Sequence, residues 1–260
     1  MVSIKAENVW LKFNIQFIRQ ELSLRGYLVQ MLDRRRKDAQ AGRNEKTHFW
    51  ALRGITMSVE AGEIVGLLGS NGAGKSTLLM ALAGIYAPDR GEVTVRGKVG
   101  TLLDLTSGFI PDLTGLENIH YNATFLGLSP QYVAEKIDEI VAMADLGDFI
   151  HAPLKTYSSG MKARLGFSVA VHINPDVILL DEVMNAGDQA FRQRSTNLLE
   201  SYRMKGKTVV IASHDIGAFR QFCTRVVLLD HGEIVADGPV EEVIEIYQKR
   251  TREYNASAHS

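Results

Sequence analysis

An α/β fold built on a largely parallel sheet is what this chain predicts, and three features of the sequence predict it. Short, wholly apolar runs such as Val177-Ile-Leu-Leu180, with others at 208–212 and 226–229, suit strands buried on both faces. Stretches with helical spacing of apolar residues alternate with those runs, the rhythm of β-α units. A glycine-rich loop, residues 69–74, lies directly between an apolar strand at 63–68 and a helix that opens at Lys75. In such folds the ligand site lies at the carboxyl ends of the parallel strands.

The elements follow in order. Residues 4–9 alternate like an edge strand and residues 49–59 alternate again, so the pair reads as part of a small antiparallel sheet. Between them residues 14–46 look inserted: Ile15, Ile18 and Leu22 have helical spacing, and the segment ends in a basic, polar stretch. After the strand at 63–68 and the helix at 75–83 come two strands, 91–95 and 99–103. Helical periodicity then covers 115–126, 131–144 and 160–172, and residues 240–252 form a last helix-like stretch before a polar tail.

Composition excludes several classes. The 260 residues are 45% hydrophobic and carry 29 Lys+Arg against 30 Asp+Glu, a formal net charge of -1. That balance argues against a general nucleic-acid binder, which is usually strongly basic. A chain of this size buries enough surface to need no disulfide or structural metal, and Cys223 is the sole cysteine. A reducing, cytosolic setting is expected. No apolar run reaches the roughly 18–20 residues that cross a bilayer, and the first six residues begin no signal-peptide core.

Two motifs carry chemistry. Gly69-Ser70-Asn71-Gly72-Ala73-Gly74-Lys75-Ser76, followed by Thr77, is the GxxxxGK[ST] phosphate loop, a pattern that arises by chance in roughly one chain of this size in a hundred. Its glycines let backbone N–H groups approach phosphate oxygens, and the helix start adds a positive dipole end. Lys75 neutralises β- and γ-phosphates and Ser76 offers a hydroxyl to Mg²⁺. The second motif is the strand at 177–180 running into Asp181-Glu182, which puts a carboxylate at the ligand edge of the sheet. Asp181 suits the metal, and Glu182 suits a general base that orients an attacking water.

Between them lies Tyr157-Ser158-Ser159-Gly160-Met161, at the start of a helix. With it the chain resembles the ATP-binding cassette (ABC) ATPases, whose signature is usually Leu-Ser-Gly-Gly-Gln. Ser158 and Gly160 match; Tyr157, Ser159 and Met161 depart. On its own a Ser-Ser-Gly before a helix is a helix cap; its place between the two motifs makes it specific. The resemblance implies a P-loop NTPase of the ABC ATPase fold: a mixed RecA-like core, an antiparallel β subdomain, and a helical subdomain at 110–173 that carries the signature.

It also implies roles. Ser158 and Gly160 would bind the γ-phosphate of ATP held by a second copy, so that two chains sandwich two nucleotides head to tail. His214 resembles the switch histidine that contacts the γ-phosphate, and Asn185-Ala186-Gly187-Asp188 falls where the D-loop touches the partner. Asp104 takes the position of a family glutamine, where a carboxylate would join metal or water contacts. Trp50, Phe49 and Phe13 are the candidates for the aromatic that stacks on adenine, with Trp50 placed in the nucleotide site.

Within the family, the insertion, the text from Ser107 to Asn118, the Tyr-Ser-Ser-Gly-Met signature and Gly187-Asp188 look like the ATP-binding subunits of bacterial exporters of O-antigen, capsular polysaccharide and teichoic acid. That implies ATP and Mg²⁺ as cofactors, and an integral membrane permease as partner. It places the chain peripherally on the cytoplasmic face of the membrane, with the glycan met mainly through the permease. The carbohydrate-binding domain of some O-antigen relatives is expected to be absent. Export of a lipid or drug is the alternative substrate class, and a soluble ABC ATPase or a non-catalytic nucleotide switch the alternative function. Arg34, Arg35, Arg36 and Lys37 suit contact with anionic head groups, and equally a solvated basic helix.

Overall fold

A computed structural model describes residues 1–14, 48–102, 108–181 and 189–258. The insertion at 14–46 lies outside the described residues, apart from Asn14. The described chain forms two sheets. One is antiparallel, in the order β2-β1-β4, from β1 (Val2–Asn14), β2 (His48–Glu60) and β4 (Arg90–Val95). The other has six strands in the order β5-β6-β7-β3-β8-β9: β5 (Val99–Leu102), β6 (Val177–Asp181), β7 (Thr208–Ala212), β3 (Ile64–Leu68), β8 (Arg225–Asp230) and β9 (Glu233–Gly238). All its pairings are parallel except β8 with β9.

Wholly apolar strands make sense because both faces of the larger sheet are covered. Successive side chains point to opposite faces, and the cores divide accordingly. Val65, Leu67, Val177, Leu179 and Val210 pack with α1 (Lys75–Leu82) and with Ile4, Leu52, Ile55 and Val59 of the antiparallel sheet. Ile64, Ile178, Leu180, Val209 and Ile211 face the other way, onto Phe167, Leu199 and Tyr202. The phosphate-loop helix is therefore clamped between the sheets. Arg225 ties them at one edge, pairing with Glu63 at 2.9 Å and Asp237 at 2.8 Å while donating to the Ser58 carbonyl of β2.

A third core belongs to helices alone. α2 (Gly115–Phe125), α3 (Pro130–Ala144) and α4 (Ser159–Ala170) bury Ile119, Ala123, Val133, Ile140, Leu165 and Val169 among themselves, together with Ile150 and Leu154 of the short helical turns between α3 and α4. Each helix start is capped from the sequence: Thr114 and Glu117 form a capping box, Ser129 precedes Pro130, and Ser158 accepts from Met161 N at 3.2 Å. The end of α3 is clasped by two arginines. Arg164 of α4 and Arg194 of α5 (Gln189–Met204) reach the Asp145 carboxylate at 2.9 and 2.8 Å, and Arg194 also donates to Met143 O. Arg194, then Arg164, hold that carboxyl below its usual range, so the tie is present above the ordinary carboxylate pKa and lost as pH falls through the lowered one.

Three elements were not legible in the sequence. The strand β9, the helix α5 and the short helix α6 (Ile216–Phe222) lack a clean period. β9 is half-buried and depends on the tight turn at His231-Gly232, both at positive φ. α5 buries Ser195, Leu199 and Tyr202 beneath an otherwise polar surface, and α6 is short and set by its Asp215 cap, which accepts from Gly217 N at 2.8 Å. The last helix, α7 (Val240–Ala258), runs beyond the predicted end. Among the described residues no helix is long and apolar enough to cross a membrane.

One contact tests the packing of the central strand. A Cβ on Gly66 would stand 2.7 Å from Phe219 Cδ1 and 3.2 Å from Val226 Cγ2. Gly66→Ala is expected to lower unfolding free energy by ~1–3 kcal/mol, read from the urea midpoint; an unchanged midpoint would mean Phe219 moves aside freely.

Candidate functional site

The site begins where β3 ends. Gly69, at φ 155, presses its Cα against β8: a Cβ there would meet the Leu229 carbonyl oxygen at 2.4 Å. Gly74, at φ 107, does the same against β2, with the Ala51 carbonyl at 2.9 Å. Only glycine fits at either place. The loop between is fixed by Ala73 N to Ser70 O at 3.1 Å and by Gly232 N to Ala73 O at 2.9 Å. Lys75 folds back over it, 6% exposed, with Nζ donating to Gly69 O at 2.8 Å and Ser70 O at 3.1 Å. The lysine charge is thereby held at the loop before any ligand arrives.

Gly74, the N-cap of α1, offers no capping side chain. The helix start thus keeps its positive end for an outside acceptor, the arrangement that suits a phosphate. It opens into a cleft of about 650 Å³ lined by Phe13, Phe49, Ala51, Asn71, Gly72, Gly74, Lys75, Ser76, Thr77 and Asp181. The volume falls in the range of small-molecule sites. Ser76 and Asp181 add a hydroxyl and a carboxylate to the lining. Among the described residues no three His, Cys, Asp or Glu gather to hold a metal. A cation here would complete its shell from phosphate oxygens and water, which is how Mg²⁺ is usually bound beside a polyphosphate.

The aromatic wall corrects the expectation for Trp50. Phe13 and Phe49 are cross-strand partners in the β1-β2 pairing and both line the cleft. Phe13 also meets Tyr86 edge-on at 5.4 Å. Trp50 is one residue along, paired with Lys12, so its side chain leaves on the opposite face of the sheet. Its ring lies 5.4 Å from Trp10, with Lys12 Nζ at 5.5 Å and Arg90 Cζ at 5.7 Å from its centre. Trp50 thus belongs to an outer aromatic and cationic stack, not to the cleft. The sequence names all three aromatics, but the pleat that sorts them needs a register which the intervening insertion hides.

Other predicted residues are distributed around this edge. β7 pairs Ala212 with both Asp181 of β6 and Leu67 of β3, so His214, two residues on, sits exposed beyond the same carboxyl edge. It does not line the cleft. Ser158 and Gly160, at the start of α4 on the helical unit, do not line it either. Glu182, Asp104 and the segment 185–188 lie outside the described residues. The support under the loop from Gly232 is not legible in the sequence, because a close approach between distant backbones has no local signal.

The family described as ABC transporter matches residues 52–185, just over half of the chain. The chain belongs to the ABC transporter family. Teichoic acids export ATP-binding protein TagH of Levilactobacillus brevis is 38% identical over 241 residues, 93% of this chain and 66% of that protein. O-antigen export system ATP-binding protein RfbB of Myxococcus xanthus is 41% identical over 199 residues, 76% of this chain and 46% of that protein. A solved dimeric bacterial ABC transporter cassette is 25% identical with a TM-score of 0.69, covering 91% of this chain and 98% of its own. This ABC chain spans 38% to 66% of the length of the curated relatives compared with it. The expected fold is that of the solved cassettes.

The two faces of β2 give this ABC chain a direct test. Phe13→Ala and Phe49→Ala are each expected to weaken binding of a fluorescent adenine nucleotide at least about fivefold, since a base stacked on an aromatic ring gains ~1–3 kcal/mol. Trp50→Ala should leave that affinity within about twofold, whatever it does to thermal stability. The reverse ranking, measured by titration, would return Trp50 to the site.

Proposed function

We propose that this chain is the ATP-binding and hydrolysing subunit of an exporter that moves a polysaccharide of the O-antigen, capsular or teichoic-acid type across the cytoplasmic membrane. The observation that carries the nucleotide part is the single cleft joining the phosphate loop, Ser76, Asp181 and a pair of phenylalanines. The substrate class is supported by relatives named for teichoic acid and O-antigen export. On this reading the chain works at the cytoplasmic face of the membrane, beside a permease that meets the glycan.

ATP enters with adenine against Phe13 and Phe49 and its phosphates over the loop. Lys75 and the first-turn N–H groups of α1 hold the β- and γ-phosphates. Ser76 and Asp181, with Asp104 as a further ligand, would hold Mg²⁺, which would supply neutralisation of the charge that develops on the phosphate oxygens. Glu182 orients the attacking water and takes its proton, while His214 stabilises the γ-phosphate. Ser158 and Gly160 complete the site of a second copy, so closure of the pair is tied to bound ATP. That closure drives the permease, and hydrolysis reopens the pair.

Glu182→Gln is expected to bind ATP with near-normal affinity and to lose hydrolysis by about a hundredfold or more, the usual contribution of a positioned base. Undiminished steady-state turnover with the permease present would remove Glu182 from that role. The substrate class is tested separately: in cells that lack the chain, the glycan should accumulate inside and be missing from the surface. Normal surface glycan would sink the export reading and leave the ATPase intact.

A further inference from the structure

The residue before the signature serine departs from the family pattern, and its side chain is fully engaged inside the helical unit. Tyr157 is 6% exposed and its hydroxyl donates to the Phe149 carbonyl at 2.5 Å. The same hydroxyl lies close against Gly115 at the start of α2, where a Cβ would stand 2.3 Å from it. Gly115 thus makes room for an oxygen, not merely for a ring. The segment leading to Tyr157 is pinned as well. Leu154 N donates to Leu113 O at 2.9 Å, Lys155 N to Pro111 O at 2.8 Å, and Thr156 Oγ1 to Pro153 O at 2.7 Å.

Beyond Tyr157 the bonding turns local. Ser158 caps α4 by accepting from Met161 N, its carbonyl accepts from Lys162 N at 3.1 Å, and a Cβ on Gly160 would meet only Ser158 Oγ, at 3.9 Å. The signature turn therefore faces outward, and the last inward anchor before it is the Tyr157 hydroxyl. An aliphatic side chain would fill only part of the same space and would supply no directional bond.

We propose that Tyr157 is a positioning residue, whose hydroxyl bond to Phe149 holds Ser158 and Gly160 in the orientation that meets the γ-phosphate of ATP on a second copy. The inference rests on the two-copy reading above and names how this chain sets its half of the shared site. Tyr157→Phe keeps ring and volume and removes the bond, leaving the Phe149 carbonyl only the Ala152 N–H at 2.8 Å. A hydrogen bond of ordinary strength makes that worth about a fivefold loss per signature turn, compounded over the two turns of a symmetric pair.

The experiment uses the full chain in the Glu182→Gln background, with ATP-driven dimerisation followed by analytical ultracentrifugation. Three variants are compared: Tyr157→Phe, Ser158→Ala, and Ile140→Val, which thins the buried core of the same helical unit. The expected result is a weaker dimer for the first two, ATP affinity of the single chain within twofold for all, and a normal dimer for Ile140→Val despite its lower melting temperature. A Tyr157→Phe dimer as tight as the parent, with Ser158→Ala weakened, would overturn the positioning role and leave the two-copy reading standing. Weakening by Ile140→Val to the same extent would also overturn it, since general loosening would then suffice. No effect of Ser158→Ala would sink the two-copy reading, and the proposal with it. Turnover of Tyr157→Phe with Glu182 restored gives an independent readout: it should fall most at low protein concentration, where pairing limits the rate.

Discussion

Backbone rests on backbone where the phosphate loop meets the rest of the molecule, and the architecture depends on that contact. Gly69 lies against the Leu229 carbonyl of β8 and Gly74 against the Ala51 carbonyl of β2, at distances that no Cβ permits. The loop is thereby wedged between the two sheets, with Gly232 of the β8-β9 turn bonded to Ala73 beneath it. Pre-organisation follows. The helix start, the lysine and the aromatic wall reach their places through close packing of the scaffold, so a bound phosphate need not order them.

That wedge also explains why the antiparallel sheet belongs to the site. β1 and β2 cover α1 from outside and contribute Phe13, Phe49 and Ala51 to the cleft. The same two strands carry Trp10 and Trp50 away on the outer face, where Lys12 and Arg90 approach the Trp50 ring. One sheet thus presents an apolar, aromatic wall inward and a cation-rich aromatic surface outward. The division needs nothing more than the pleat.

The helical unit is coupled to the core differently. It has its own buried cluster; α4 also seats Phe167 and Ala170 against the larger sheet, and a polar tie is added where Arg164 and Arg194 meet at Asp145, joining α4 to α5 across the end of α3. Because the three groups are partly solvated, such a link constrains direction more than it adds stability. In the proposed reading α4 carries the signature and α5 follows the Asp181-Glu182 strand, so this clasp lies between the two halves of the machinery. The bond from Tyr157 to Phe149 orients the outer end of the same unit.

Much of the fold was legible because burial on both faces writes itself into short runs of uniform apolar residues, as in β3, β6, β7 and β8. The phosphate loop, with Ser76, was legible for a related reason: its glycines, lysine and hydroxyl act within a few residues of one another. Asp181 could be placed because a strand end has a local signature. β9, α5 and α6 escaped because their stability comes from one neighbouring strand, a narrow buried stripe and a single cap.

What the sequence alone determined was therefore the chemistry of the loop and the class of fold around it. Tertiary structure decided which aromatics face the cleft, since Phe49 and Trp50 are adjacent in sequence and only strand register sends one inward and the other out. It also decided what the unusual Tyr157 does, because its bond to Phe149 and its fit against Gly115 join segments that the sequence keeps apart. Local motifs specify themselves; relations between distant backbones exist only once the chain has packed.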